Sequence, residues 1–242
     1  MKAIPPEERL ILALDVPTAD EARAIVSDLG DTVRFYKIGL ELMTGGDYFT
    51  LLDWLTARQK KVFADLKFFD IPATVAGAVR NLSGRGATFC TVHGNDAMMA
   101  AAVEAAAGAA DAAGDGPGIL AVTVLTSLDR GDMDDLGFEA DIGRVVLSRA
   151  KRALALGCAG VVSSGLEVQA LRAEVGDELI AVCPGIRPGL NRPADDQKRS
   201  VDIEEAFDLG ADYLVIGRPI RSAPDPAAAA AAIQERIAAK FS

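Results

Sequence analysis

Asp65, Lys67 and Asp70 fall together in the stretch VFADLKFFDIPAT (62–74), whose flanks Val62, Phe63, Leu66, Phe68, Phe69 and Ile71 are apolar. Residues two apart on a strand point to one side, so Asp65 and Lys67 are expected to share a face. If that face is interior, each charge is tolerable only because the other is close. Asp70 comes three residues later, and Pro72 makes a continuous strand or helix through Ile71 unfavourable, which puts Asp70 on a loop. A second carboxylate near the ammonium would keep Lys67 charged against the effect of burial. A lysine in that state is a proton donor and a positive electrostatic group, not a free amine nucleophile. The plain alternative is an ion-pair network that only bridges strands. Such interior pairs add little stability against apolar replacements, so chemistry accounts for them better.

Other polar residues recur at comparable places. Asp15 closes the apolar run LILALDV (10–16) and Lys37 lies late in RFYKIGL (34–40), a pair of opposite charges suited to a substrate with several hydroxyls. Thr126 and Ser127 follow ILAVTVL (119–125), and Ser163 and Ser164 end GVVSS (160–164). Arg187 and Gln197 belong to the long polar segment CPGIRPGLNRPADDQKR (183–199), and Gly217 and Arg218 lie in YLVIGRPI (213–220). Glycine lets a backbone approach an anion and arginine offers a forked donor, so this last group reads as a phosphate clamp. The single histidine, His93, excludes multi-histidine metal sites and argues against a Ser-His-Asp triad; a hydrogen-bonded structural role is expected for it.

These residues need a scaffold that gathers strand ends. The runs already given, with VFADLK (62–67), ATFCTVH (87–93) and LIAVCPGI (179–186), make eight candidate strands. Between them lie segments with apolar spacing of three and four, such as 19–30 and 140–157, several ending in glycine as helices do. The alanine-rich stretches 101–118 and 224–240 are read as the fourth and eighth helices, with GDGPG (114–118) leading into strand five. Unbroken apolar strands suit a parallel sheet covered on both faces. Eight βα units in 242 residues favour a single (β/α)₈ TIM barrel, one catalytic domain spanning 1–242, with its active site at the carboxyl ends of the strands.

Composition narrows the partners. A net charge of −10 argues against nucleic acid, which needs a basic face. No stretch of about 18 apolar residues exists to span a membrane, and MKAIPPEERL is no signal sequence, so a cytoplasmic protein is expected. Cys90, Cys158 and Cys183 have no CxxC spacing and suggest buried thiols, not disulfides or zinc. No GxGxxG motif and no isolated lysine suited to pyridoxal phosphate is present, so no cofactor and no metal is expected.

LALDV, YKIG, FADLKFFDIPATV, TVHG, AVTVLTS, PGIRP, DDQKR and DYLVIGRPI occur in an order that resembles the orotidine 5'-monophosphate decarboxylases over almost the whole chain. The Asp-x-Lys-x-x-Asp-Ile-Pro-x-Thr pattern is highly specific; Phe69 and Ala73 stand where that family commonly has His and Asn. The resemblance implies decarboxylation of orotidine 5'-monophosphate to UMP by an obligate homodimer with shared sites. Lys67 would be the proton donor to C6 and Asp65 would lie beside the departing carboxylate. Asp70 and Thr74 would reach into the neighbouring subunit's site, with Ile71 between them among the substrate-binding residues. Asp15 and Lys37 would bind the ribose hydroxyls, Lys37 also belonging to the charged chain. Thr126 and Ser127 would lie by the pyrimidine. Gln197, Arg218 and the Gly217 backbone would hold the phosphate, and Arg187 would order their loop. A magnesium-dependent sugar-phosphate decarboxylase or lyase of similar fold also uses Asp-x-Lys-x-x-Asp, but leaves DDQKR and Ile-Pro-x-Thr unexplained. A Schiff-base aldolase would need an uncharged Lys67, and a non-catalytic nucleotide binder would not need the complete charged set.

Overall fold

The computed structural model describes residues 2–113, 116–137, 139, 141–188 and 200–241. Eight strands pair in chain order, all parallel, and the last closes on the first. They are β1 (Leu10–Ala13), β2 (Phe35–Gly39), β3 (Lys61–Phe68), β4 (Ala87–His93), β5 (Gly118–Val122), β6 (Gly160–Val162), β7 (Ile180–Cys183) and β8 (Tyr213–Ile216). The helices are α1 (Ala19–Leu29), α2 (Leu40–Thr44), α3 (Tyr48–Thr56), α4 (Pro72–Leu82), α5 (Asp96–Ala113), α6 (Arg130–Asp135), α7 (Ile142–Ala155), α8 (Gly165–Val175), α9 (Ile203–Asp208), α10 (Arg218–Arg221) and α11 (Pro226–Lys240). The (β/α)₈ barrel read from the sequence is therefore the fold.

Alternation along each strand separates two cores. Ile11, Phe35, Phe63, Phe89, Leu120, Val182 and Tyr213 point inward and form the barrel's own filling. Their neighbours Leu10, Leu12, Tyr36, Ile38, Val62, Ala64 and Cys90 point outward under the helices. Both sets are buried, which is why the strands read as unbroken apolar runs. Phe89 packs against Phe35 at 5.6 Å and against Tyr213 at 5.6 Å between ring centroids, making an aromatic floor. Above that floor, the next inward positions are Lys37, Asp65 and Thr91, so the same period that fills the core raises the polar residues into the mouth.

Several boundaries differ from the sequence reading. β8 ends at Ile216, and Pro219 and Ile220, taken for strand, belong to α10. Proline has no N–H for a sheet ladder and suits the first turn of a helix, while the buried Ile220 mimics a strand position. β7 ends at Cys183, and beyond it Ile186 makes an isolated parallel bridge to Val201. The helix after β4 begins five residues before Ala101, at Asp96. Asp15, Ser163 and Ser164 lie just past their strands. Gly45, beside α2, is required by space: a Cβ there would lie 2.4 Å from the Pro17 carbonyl oxygen. That close approach holds the loop carrying Asp15 against the end of β2's following helix.

Candidate active site

At the carboxyl ends of the strands lies a cavity of about 420 Å³. Its lining includes Asp15, Lys37, Asp65, Lys67, Thr126, Ser127, Arg187, Gly217 and Arg218, so one hollow gathers nine of the residues singled out in the sequence. Phe63 and Val215 form part of its apolar base.

Four charges alternate along one wall. Lys37 Nζ donates to Asp15 Oδ1 at 2.7 Å and lies 3.5 Å from Asp65 Oδ2. Lys67 Nζ donates to the same Asp65 oxygen at 2.8 Å. The other Asp65 oxygen accepts from Thr91 Oγ1 at 2.9 Å. Burial works against the Asp65 carboxylate, but Lys37, Lys67 and the two hydrogen bonds outweigh it and hold its pKa below the ordinary aspartate value. Burial likewise works against the Lys37 ammonium, and Asp65 and Asp15 overcome it, so its pKa ends above the usual lysine value. Asp65 and Lys37 therefore stay ionised although both are buried.

Asp65 and Lys67 meet as expected, but a bulge makes the meeting. Ala64 pairs with Cys90 and Phe68 with Val92, so four steps along β3 answer two along β4. Within that bulge Lys67 adopts a left-handed backbone, φ 48°, which costs a non-glycine residue about 1–2 kcal/mol. Its displaced N–H donates to Thr91 Oγ1 at 2.9 Å. Thr91 thus satisfies the bulge and fixes the carboxylate at once. Sequence reasoning passed over it, although its place between Phe89 and His93, on the inward period of β4, was the available signal.

Asp70, Ile71 and Thr74 are not brought into the cavity of a single chain. Asp70 is exposed and its carboxylate accepts from the Ile71 N–H at 2.6 Å, so within the chain the carboxylate paired with Lys67 is Asp65. Ile71 precedes Pro72 at the start of α4 and Thr74 is exposed in its first turn. Phe69 and Ile71, on either side of Asp70, are 63% and 66% exposed. Gln197 and most of the expected loop 187–200 lie outside the described residues. The ends of that loop are tied together, because the Arg187 N–H donates to the Val201 carbonyl at 3.0 Å. Arg187 also donates from Nη1 to the Ile186 carbonyl at 3.0 Å. The His93 ring packs on Phe69, with centroids 4.7 Å apart, and among the described residues the anticipated side-chain hydrogen bond is not seen. The three cysteines are free and buried. Glu41 and Arg221 also line the cavity, and neither was singled out in the sequence. The strand expected over 213–220 hid the helical spacing that places Arg221 beside Arg218.

Residues 8–233 match the model of the family described as orotidine 5'-phosphate decarboxylase / HUMPS. The orotidine 5'-phosphate decarboxylase of Methylococcus capsulatus is 59% identical, over 98% of this chain and 94% of that protein. The enzyme of the same name from Xanthomonas oryzae pv. oryzae is 54% identical, over 96% of this chain and 93% of its own. Among solved structures, orotidine 5'-phosphate decarboxylase from Lactobacillus acidophilus superposes with a TM-score of 0.83 at 35% identity, covering 95% of this chain and 99% of that one.

Proposed function

The chain belongs to the orotidine 5'-phosphate decarboxylase / HUMPS family, and on that premise we propose how the charged wall of its cavity performs the reaction. The reaction is decarboxylation of orotidine 5'-monophosphate to UMP and carbon dioxide, in pyrimidine biosynthesis. The observation that carries the mechanism is the Lys67 ammonium held 2.8 Å from a buried Asp65 carboxylate inside the cavity. The C6–carboxylate bond breaks, carbon dioxide leaves, and the electron pair remains on C6, where the pyrimidine ring delocalises it poorly. Lys67 stabilises that charge as it builds and then gives its proton to C6. Asp65, beside the substrate carboxylate, opposes the ground-state charge that is lost on departure. Lys37 and Thr91 keep Asp65 ionised and fixed, so these groups need little reorganisation during the reaction.

Asp15 and Lys37 bind the ribose hydroxyls, and Thr126 and Ser127 face the pyrimidine. The phosphate sits at the other wall, on Arg218, the Gly217 backbone and Gln197, with Arg187 ordering their loop. Its binding, remote from the breaking bond, supplies free energy that organises the charges. The chain works as one catalytic domain in the cytoplasm. Among the described residues no helix is long and apolar enough to cross a membrane.

The working unit is a homodimer. Phe69 and Ile71 expose apolar surface around Asp70 on one chain, and a second copy covering it would bring Asp70 and Thr74 toward the partner's Lys67. Mixing inactive Asp70→Ala and Lys67→Ala subunits restores activity through hybrid sites; failure despite demonstrated exchange counts against sharing. The magnesium lyase reading has no support from the relatives. Asp65 is moreover already engaged by two ammonium groups and Thr91, leaving it poorly placed to ligate a cation.

The direct test follows the ultraviolet absorbance of orotidine 5'-monophosphate mixed with purified protein in excess chelator. Conversion to the UMP spectrum is the expected result. No change with folded, dimeric protein overturns the reading.

A further inference from the structure

The lining of the cavity also carries three arginines, Arg187, Arg218 and Arg221, from the segments after β7 and β8. Arg218 and Arg221 stand three residues apart on the short α10, the spacing that places two helical side chains on one face. The Arg221 backbone is fixed, its N–H donating to the Gly217 carbonyl at 3.0 Å, and the adjacent Ile220 is wholly buried. The side chain is half-buried, and its Nε is shielded from solvent with no acceptor among the described residues. Arginine cannot shed its charge to escape that situation, and buried N–H groups left unpaired are uncommon. Glu41, the cavity's carboxylate outside the charged cluster, makes no described ion pair with it. A donor on a fixed backbone, left without an acceptor among the described residues on a wall that already presents two guanidinium groups, suits an anion with several oxygens.

We propose that Arg221 is a further substrate-binding residue, donating to the phosphate of orotidine 5'-monophosphate alongside Arg218. This rests on the decarboxylase reading and adds a third guanidinium to the phosphate wall. Because the phosphate is common to substrate and product, the contact made by Arg221 is read directly in the affinity for UMP, apart from any effect on turnover.

The test measures calorimetric affinities for UMP and for uridine, which lacks only the phosphate, with wild type, Arg221→Ala and Arg221→Lys. Loss of a charged hydrogen bond predicts UMP affinity falling about 10- to 100-fold in the alanine variant, with uridine affinity falling far less. The lysine variant is expected between the two, since it keeps the charge and loses the fork. Equal losses for UMP and uridine would assign Arg221 a merely structural role and overturn the proposal, as would unchanged UMP affinity. Turnover of orotidine 5'-monophosphate is assayed on the same wild-type preparation. An inert wild type overturns the decarboxylase reading and this inference with it, whereas an active wild type with an indifferent Arg221→Ala overturns the inference alone.

Discussion

The barrel has a charged cluster at each end, and they are built on opposite plans. At the carboxyl ends of the strands, Asp15, Lys37, Asp65 and Lys67 are paired mainly with one another and face a cavity. At the opposite end, Asp212 takes Arg172 at 2.7 Å and Lys2 at 3.0 Å, and accepts the Ala181 N–H at 2.9 Å. There other donors end on fixed backbone, Arg172 on the carbonyls of Gly210 and Leu179 and the two Arg9 Nη groups on those of Asp212 and Lys2, while the buried Arg9 Nε faces no cavity and has no acceptor among the described residues. The Arg9 guanidinium also lies 3.8 Å over the Phe241 ring, joining the two termini of the chain. Charges that end on backbone and ring faces are closed to a ligand and serve stability. Charges that balance mainly each other, beside a cavity, remain available to a substrate whose own charge changes.

That contrast predicts that the two ends can be damaged separately, and Lys67 gives the largest effect. Lys67→Ala should lower kcat by roughly 10⁴-fold or more, combining lost proton donation with lost electrostatic stabilisation. UMP affinity and the melting temperature should change little. Lys67→Gly should be equally inactive yet more stable than the alanine variant by about 1 kcal/mol, because glycine accepts the left-handed backbone without strain. Substantial activity in either variant would remove Lys67 as donor.

Asp212→Ala is the reciprocal break. Removing one partner of a buried ionic network costs about 3–5 kcal/mol, a fall of roughly 6–20 °C in Tm for a chain of this size. kcat measured well below the transition should stay within about threefold of wild type, since Asp212 has no contact with the cavity. A large kcat loss with an intact fold would mean that the ends are coupled.

Thr91→Val tests the join between position and chemistry. The valine keeps the shape but leaves the Lys67 N–H and one Asp65 oxygen without their partner, so a loss of about 1–3 kcal/mol in stability is expected. kcat should fall about tenfold as Asp65 loses its fixed orientation, with KM little altered. Loss of stability with unchanged kcat would reduce Thr91 to a support for the bulge alone.

The sequence disclosed the barrel because inward and outward positions alike are apolar until the polar residues near the strand ends, and each helix has its own period, signals that are local. It disclosed Asp15, Lys37, Asp65 and Lys67 because a charge in an apolar run has few cheap explanations. Thr91 was hidden because threonine is an ordinary strand residue, and only the bulge of β3 gives it a task. Arg221 was hidden by Pro219 and Ile220, whose apolar run continues a strand on paper and starts a helix in space. Asp70 was read beside Lys67 from spacing and Thr74 from family resemblance alone, and within one chain both are exposed, away from the cavity.

The smallest effect concerns His93, which packs on Phe69 at the rim of the active end. Burial, followed by repulsion from Arg149 and Lys67, holds its pKa below the ordinary value of 6.5. The sign follows from proton uptake: as pH falls below the unfolded-state value, the unfolded chain binds a proton that the folded chain resists. The contribution of neutral His93 is complete above the unfolded value and is lost as pH falls through the lower folded one. Urea midpoints should therefore decline modestly between about pH 7.5 and about pH 5.5, and His93→Phe should flatten that slope without changing the midpoint at the upper pH much. Because the sequence has one histidine, a histidine-borne slope in this window belongs to the active end. An undiminished slope in the phenylalanine variant would transfer the sensitivity to carboxylates, and the two clusters would then have to be separated by repeating the titration in Asp212→Ala.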